Sequence, residues 1–143
     1  MLPKIDNVLL VEDDDVDVMN VKRAFKKQNI ELPVHVAKNG VEALELLRLG
    51  GDNPFSNGST VILLDLNMPK MGGLEFLSEL RSDPSLRSFV VYVLTTSNQE
   101  SDLRGAYDLN VAGYILKPLS FDDFIDTIGK LYNFWQINEF LKN

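Results

Sequence analysis

Carboxylates, a hydroxyl group and a lysine follow apolar runs at several points of the chain. Glu12 and Asp13 come directly after Asn-Val-Leu-Leu-Val, and Asp65 comes directly after Val-Ile-Leu-Leu. Thr95 closes the run Phe-Val-Val-Tyr-Val-Leu, and Lys117 follows Tyr-Ile-Leu. Continuous apolar runs bounded by turn residues are typical of strands that are buried on both faces. We therefore predict that these polar residues lie at the ends of buried strands.

The acidic residues of this set suggest a metal site. Carboxylates that converge raise one another's pKa values and repel unless a cation neutralises them. Mg²⁺ suits such a cluster because it takes one or two carboxylates, keeps several waters and leaves room for phosphate oxygens. Helix N-capping is the alternative for the acids after the first strand. It fits Asp14 and Asp15 as well as metal binding does, but fits Asp13 less well because Asp13 follows the strand directly.

Asp65, Thr95 and Lys117 could accept and bind a phosphoryl group. A carboxylate such as Asp65 can act as a nucleophile and form an aspartyl phosphate. The Thr95 hydroxyl and the Lys117 ammonium could bind the phosphoryl oxygens, and Pro118 would hold Lys117 in an extended conformation. Taken singly, Asp65 could cap a turn, Thr95 could reflect β-propensity, and Lys117 could be solvated. Their joint placement at strand ends favours phosphoryl chemistry.

An alternation of apolar runs and amphipathic segments must position these residues. We predict strands at 7–12, 33–37, 61–65, 89–95 and 112–116, and helices at 15–29, 41–49, 74–82, 99–109 and 121–134. The pattern predicts an α/β fold, a flavodoxin-like (βα)5 doubly wound sandwich with a five-stranded parallel sheet in the order 2-1-3-4-5. The strand carboxyl ends then share one edge, and Glu12, Asp13 and Asp65 converge there. The polar, Gly-rich loop at 50–60 is rather long for this fold.

Helical spacing predicts which residues of each helix face the sheet. For the second helix these are Val41, Ala43, Leu44 and Leu47, and for the fourth they are Leu103, Ala106, Tyr107 and Leu109. We place the globular domain at residues 1–134. The segment 135–143, which begins at Trp135, is unusually apolar for a terminus and is predicted to contact a partner or a second copy of the chain. The alternative is that it folds back on its own domain.

Composition limits the possible functions. The chain has 143 residues, is 45% hydrophobic and fits one domain. Its 14 Lys plus Arg against 21 Asp plus Glu give a formal charge of -7, which argues against nonspecific nucleic-acid binding. Without Cys it can form no disulfide and no thiolate zinc site. No signal-peptide pattern and no membrane-spanning apolar run is present, so we expect a cytoplasmic protein with no membrane partner.

Together these residues resemble the receiver domain of two-component response regulators, the CheY-like family. The resemblance covers about residues 6–134 and rests on Leu-Val-Glu-Asp-Asp, Leu-Leu-Asp-Leu-Asn-Met-Pro, Leu-Thr-Thr-Ser and Tyr-Ile-Leu-Lys-Pro. It implies that Asp65 accepts a phosphoryl group from a phosphohistidine on a sensor histidine kinase. It also implies Mg²⁺ held by Asp13, Asp65 and the main-chain carbonyl of Asn67, with Glu12 acting through water.

The same resemblance assigns roles to three further residues. Thr95 would hydrogen-bond the phosphoryl group, Lys117 would pair with it, and Tyr114 would be the switch aromatic that follows the movement of Thr95. The alternative for Tyr114 is a half-buried strand aromatic. Two departures are mild: Asn110 stands where the family usually has Gly, and Thr96 stands where a smaller residue is common. Asn tolerates the positive φ that such a turn requires.

Finer features resemble the single-domain regulators of bacterial and cyanobacterial phytochromes. These features are the Leu-Thr-Thr-Ser segment, the loop at 50–60 and the pair Phe134-Trp135. They imply a phytochrome as the sensor kinase. The apolar tail is predicted to support a homodimer or docking to a partner, with the signal relayed by a conformational or oligomeric switch.

Two alternatives to a phosphoacceptor remain at this point. An Mg²⁺-dependent phosphatase or phosphotransferase would share the aspartyl intermediate, but Asn67 stands where a second acid is expected and no cap insertion is present. A binding module that works without phosphorylation would not need the complete set of polar residues. We therefore expect a signalling protein that catalyses only its own phosphotransfer and dephosphorylation.

Overall fold

The computed structural model describes residues 4–49, 53–55, 58–68 and 70–141. Parts of the predicted Gly-rich loop, residues 50–52 and 56–57, lie outside the described residues. So do Pro69 and the last two residues of the predicted tail.

Five parallel strands form one sheet in the order β2-β1-β3-β4-β5, as predicted. They are Asn7–Val11 (β1), Val34–Ala37 (β2), Thr60–Leu64 (β3), Val90–Thr95 (β4) and Gly113–Leu116 (β5). Each predicted strand boundary is correct to within one residue. Because all strands are parallel, their carboxyl ends lie along one edge of the sheet.

Five helices connect and flank the strands. They are Asp15–Lys27 (α1), Gly40–Arg48 (α2), Gly73–Ser82 (α3), Glu100–Asp108 (α4) and Phe121–Ile137 (α5). Side chains cap three of them, because Asp14, Asn39 and Ser120 accept hydrogen bonds from backbone N–H groups of the first turns of α1, α2 and α5. The capping interpretation of Asp14 is confirmed. Within the described ranges, no helix is both long and apolar enough to cross a membrane.

Each face of the sheet has its own apolar cluster. Leu9 and Ile62 point to the side covered by α2, α3 and α4, where Phe76 and Leu77 are buried. The next residue of each strand, Leu10 and Leu63, points to the other side, covered by α1 and α5. Alternating side chains thus enter two cores, which explains why the strands are continuous apolar runs.

Two helices expose residues that were predicted to face the sheet. Val41 of α2 and both Leu103 and Tyr107 of α4 are exposed. Ala106 is the buried residue of α4, so the contact of this helix with the domain is narrower than its apolar stripe. The predicted inward positions are therefore wrong for these three residues, and α4 presents apolar side chains to solvent.

Arg81 of α3 fixes the far end of α4. Its Nε donates to the carbonyl of Leu109 at 2.8 Å, and its Nη2 donates to the carbonyl of Asn110 at 3.0 Å. Nη1 donates to the carbonyls of Arg87 and Phe89. Asn110 has a φ of 61°, the left-handed conformation expected for this turn. One guanidinium thus joins the loop before β4 to the turn before β5.

The last helix continues beyond its predicted end at Phe134 and ends at Ile137. Trp135 therefore belongs to α5, and its ring packs 5.9 Å from that of Tyr92 on β4. Residues 138–141 then fold back on the domain. Phe140 packs against the same core, and the Ser59 hydroxyl donates to the carbonyl of Leu141 at 3.0 Å.

We expect Trp135→Ala to lower the free energy of unfolding by about 3–5 kcal/mol, because the side chain is 2% exposed and its removal leaves a cavity. Denaturant unfolding followed by circular dichroism measures this change. Phe134→Ala is the matched control, because the neighbouring ring is 49% exposed and its loss should cost much less. Equal losses for the two variants would contradict the prediction.

Candidate functional site

The strand ends bring the predicted site residues together. The register pairs Val11 with Leu64, and the backbone N–H of Asp65 donates to the carbonyl of Val11 at 3.0 Å. Glu12, Asp13 and Asp65 consequently each place a carboxylate oxygen within 4.8 Å of the others. Thr95 and Lys117 reach the same edge from β4 and β5. The structure thus brings these residues together at one edge of the sheet, and their roles remain predictions.

Asp65 lies buried at the centre of this edge. Its Oδ1 accepts a hydrogen bond from the Thr95 hydroxyl at 3.0 Å, and Thr95 is itself fully buried. Burial and the hydrogen bond hold the carboxylate in one orientation. Within the described ranges Oδ2 has no such partner, so it is the oxygen available for a further ligand or for attack.

Glu12 and Lys117 form a buried ion pair beside Asp65. The Lys117 Nζ lies 2.6 Å from Glu12 Oε1, and the two side chains are 11% and 2% exposed. The other oxygen of Glu12 accepts from the backbone N–H of Asp14 at 3.3 Å. Both carboxylate oxygens of Glu12 are thus engaged, which leaves Asp13 and Asp65 as the more available acids of the cluster.

Burial and neighbouring charge act in opposition on this pair. Burial raises the pKa of Glu12 to about 7, although the hydrogen bond and the charge of Lys117 oppose the increase. Burial alone would lower the pKa of Lys117, but the hydrogen bond and charge of Glu12, with the charges of Asp65 and Asp17, raise it overall. Lys117 therefore stays charged at neutral pH, while Glu12 can take up a proton near neutrality.

Asp17 is a member of the site that sequence reasoning did not identify. Its Oδ2 lies 3.2 Å from the Lys117 Nζ, so the lysine is shared between Glu12 and Asp17. In the sequence Asp17 is one of several acids at the start of α1, where helix-dipole stabilisation accounts for it. Its spacing offered no separate signal, because Asp13 precedes the N-cap Asp14 and lies outside α1.

Backbone contacts constrain the described residues of the loop after Asp65. The backbone N–H of Gly73 donates to the carbonyl of Leu66 at 3.1 Å, and Lys70 has a φ of 61°. Asn67 is exposed in this loop, two residues beyond Asp65. Its role as a carbonyl ligand rests on the family resemblance.

Tyr114 connects the site to α4 through Ser97. The Tyr114 hydroxyl donates to the carbonyl of Ser97 at 2.8 Å, and the backbone N–H of Ser97 donates to the Thr95 hydroxyl oxygen at 3.3 Å. The Ser97 hydroxyl donates to Asp102 Oδ2 on α4 at 2.5 Å. A continuous set of hydrogen bonds thus runs from Asp65 to the first turn of α4. Ser97 was not singled out from the sequence.

The arrangement can bind a hard cation and an anionic group side by side. Three carboxylates within reach of one another supply the oxygen ligands that Mg²⁺ prefers, and Lys117 balances only part of their charge. Next to Asp65, Thr95 supplies a hydroxyl group that donates hydrogen bonds, and Lys117 supplies a positive charge. These residues therefore fit a metal-assisted phosphoryl site.

Comparison with known proteins agrees with this geometry. The family model described as the response regulator receiver domain matches residues 8–129. The response regulator Rcp1 of Synechocystis sp. is 35% identical over 133 residues, which are 93% of this chain and 89% of Rcp1. The probable methanogenesis regulatory protein FilR2 of Methanothrix harundinacea is 38% identical over 130 residues, which are 90% of this chain and 82% of FilR2.

Solved structures of related proteins share the fold over nearly the whole chain. The phosphorylated cyanobacterial phytochrome response regulator RcpA is 33% identical, with a TM-score of 0.83 and coverage of 95% of this chain and 98% of RcpA. The Mn²⁺-bound form of Rcp1 is also 33% identical, with a TM-score of 0.79 and coverage of 93% and 96%. Sequence, fold and site geometry together show that the chain belongs to the response regulator receiver domain family.

Proposed function

We propose that the chain acts as a response regulator in which Asp65 accepts a phosphoryl group from a phosphohistidine of a sensor histidine kinase. The observation that carries the proposal is the buried Asp65 carboxylate, held by the Thr95 hydroxyl and flanked by Glu12, Asp13 and Lys117. Asp65 attacks phosphorus, the phosphorus–nitrogen bond to the donor imidazole breaks, and the imidazole takes up a proton. The products are an aspartyl phosphate and a free histidine.

We further propose that the acidic cluster binds Mg²⁺, with Asp13, Asp65 and the carbonyl of Asn67 as ligands and Glu12 acting through water. Support comes from the carboxylate cluster and from the Mn²⁺-bound structure of the related Rcp1. A bound divalent ion would supply positive charge that offsets the approach of an anionic phosphoryl group. Thr95 and Lys117 would then hold the transferred phosphoryl oxygens, since charge stabilisation and positioning dominate phosphoryl transfer.

Incubation of the protein with phosphoramidate and Mg²⁺, followed by intact-mass measurement, tests the proposal. We expect the mass of one phosphoryl group to be added with Mg²⁺ and very little to be added when the metal is chelated. The modification should be lost in hydroxylamine, as expected for an acyl phosphate. Absence of the adduct in the presence of Mg²⁺ would overturn the assignment, and continuous turnover of phosphate esters would favour a phosphatase instead.

Protonation of Glu12 should weaken metal binding at low pH. Burial raises the pKa of Glu12 to about 7, and a metal site needs the carboxylate form. We therefore expect the apparent Mg²⁺ affinity to fall as the pH drops below about 7, approaching tenfold for each unit of pH. Isothermal titration calorimetry across neutral pH measures this trend. In Glu12→Gln the apparent Mg²⁺ affinity should no longer fall steeply as the pH drops below about 7. An Mg²⁺ affinity that does not change with pH in the unaltered protein would contradict the prediction.

We propose that the sensor kinase is a phytochrome and that the working form is a cytoplasmic homodimer. The first part is supported by the similarity to phytochrome response regulators such as RcpA. The second is supported by exposed apolar residues on α4, β5 and α5, namely Leu103, Tyr107, Leu116, Phe134 and Ile137. The apolar end of the chain would contribute Ile137 and Leu141 to such a contact.

Light scattering coupled to size exclusion tests the dimer. We expect twice the monomer mass of 16.1 kDa, with the equilibrium altered by phosphorylation. Tyr107→Glu should shift the protein to the monomer, whereas Met19→Glu, an exposed residue on α1, should leave the mass unchanged. A monomer in both phosphorylation states at high concentration would exclude the proposed dimer.

A further inference from the structure

Lys117 forms ion pairs with two acids that come from different elements of the fold. Its Nζ is 2.6 Å from Glu12 Oε1, at the end of β1, and 3.2 Å from Asp17 Oδ2, on α1. Within the described ranges the lysine forms no ion pair with Asp65. Its ammonium group is therefore already paired with Glu12 and Asp17, and a phosphoryl group on Asp65 must compete with these two acids for it.

Asp17 is placed for this contact by the start of α1. Asp14 caps the helix, and its Oδ1 accepts from the backbone N–H groups of Val16 and Asp17. The Asp17 side chain is 38% exposed and lines a cavity of about 190 Å³ together with Lys117, Ser120 and other residues. Asp17 therefore joins the ammonium group of Lys117 to α1.

A phosphoryl group on Asp65 would compete for the same ammonium group. It adds up to two negative charges and three acceptor oxygens at the centre of the edge. The contact with Asp17 is the weaker of the two present ion pairs, because it is longer and more exposed to solvent. It is therefore the contact that Lys117 gives up first when it turns toward Asp65.

We propose that Asp17 is a positioning residue that pairs with the Lys117 ammonium group in the unphosphorylated protein and releases it when the phosphoryl group arrives. The inference rests on the proposed function of Asp65. Breaking the contact adds to the barrier of phosphorylation. It adds nothing to the barrier of hydrolysis, because the contact is already absent in the phosphorylated protein. Asp17 thus slows the loading of the site without changing how long the phosphoryl group stays.

Asp17→Asn tests this separation of the two rates. With phosphoramidate and saturating Mg²⁺, we expect phosphorylation to be about two- to fivefold faster, the range expected for loss of a partly exposed ion pair. Hydrolysis, followed after removal of the donor, should keep its rate. Asp15→Asn is the matched control, because it removes the same charge from the same turn of α1. Asp15 is 83% exposed and pairs with Lys38 instead.

The role of Lys117 is checked in a second background. In Lys117→Ala, the further change Asp17→Asn should no longer accelerate phosphorylation, since there is no ammonium group to release. The proposal is overturned if Asp17→Asn matches Asp15→Asn, or if phosphorylation and hydrolysis change by the same factor. If the unaltered protein takes up no phosphoryl group, the proposed function itself fails, and the release of Lys117 fails with it.

Discussion

Asp65→Asn is expected to abolish phosphorylation, with uptake from phosphoramidate reduced on the order of a thousandfold or more, as for the loss of other covalent nucleophiles. The amide retains the shape of the side chain and can still accept the hydrogen bond of the Thr95 hydroxyl. It offers no carboxylate oxygen to attack phosphorus, and it removes one charge from the cluster with Glu12 and Asp13. Intact-mass measurement before and after incubation with the donor detects the loss.

Asp14→Asn is the matched control for this variant. It removes an acid close to the site, but Asn caps helices as well as Asp does, so α1 should be unchanged. Phosphorylation of Asp14→Asn should stay near that of the unaltered protein. Full uptake by Asp65→Asn would place the acceptor elsewhere and overturn the proposed function.

Gly73→Ala is expected to damage both the fold and the site. A Cβ atom at this position would lie 2.6 Å from the Cα of Leu66 and 2.7 Å from the carbonyl oxygen of Asp65. Both are backbone atoms, so the segment that carries the acceptor must move. We expect the free energy of unfolding to fall by about 1–3 kcal/mol. Phosphorylation should slow on the order of a hundredfold, as for an ångström-scale misplacement of reacting groups.

The neighbouring glycine gives a sharp control. At Gly72 the nearest atom to an added Cβ is the carbonyl oxygen of Leu66 at 3.5 Å, which is an ordinary contact. Gly72 precedes α3 with an extended backbone that other residues adopt, so Gly72→Ala should change stability by less than about 1 kcal/mol. Denaturant unfolding and the phosphorylation rate should separate the two variants. Equal stabilities and equal phosphorylation rates of Gly73→Ala and Gly72→Ala would show that the loop accommodates a side chain at Gly73.

The order of the strands and the meeting of the site residues could be predicted because both follow from the alternation of apolar runs with amphipathic helical segments. The four strands next to the site residues are mostly apolar, and a polar residue stands at the carboxyl end of each of them. Parallel connections then bring Glu12, Asp65 and Thr95 to the same edge. The family resemblance is confirmed by the family model and by relatives such as Rcp1.

The inward faces of the helices were less predictable. An apolar stripe at helical spacing is the same whether it meets the sheet or another surface. Leu103 and Tyr107 fall on the predicted face of α4, yet the helix buries only Ala106 among its residues. The end of α5 was missed for a related reason: Trp135 follows Phe134 in an apolar run without Gly or Pro to mark where the helix stops.

Side-chain partners within the site could not be derived from the sequence. Lys117 was expected to pair with a phosphoryl group on Asp65, but its partners in the structure are Glu12 at 2.6 Å and Asp17 at 3.2 Å, two of several acids that the sequence places near this edge. Ser97 was not identified because its importance lies in its backbone carbonyl and in a hydrogen bond to Asp102 on α4. Such contacts depend on loop geometry rather than on residue type.

The burial of Trp135 also makes the protein its own fluorescent reporter. It is the single tryptophan of the chain. Because α5 runs back from the carboxyl edge of the sheet, its indole ring lies toward the opposite end of the domain from Asp65, in contact with Tyr92. Its emission should be blue-shifted and should hardly change when metal binds. A red shift would instead report that the end of α5 has left the core, which distinguishes undocking of this helix from chemistry at the site.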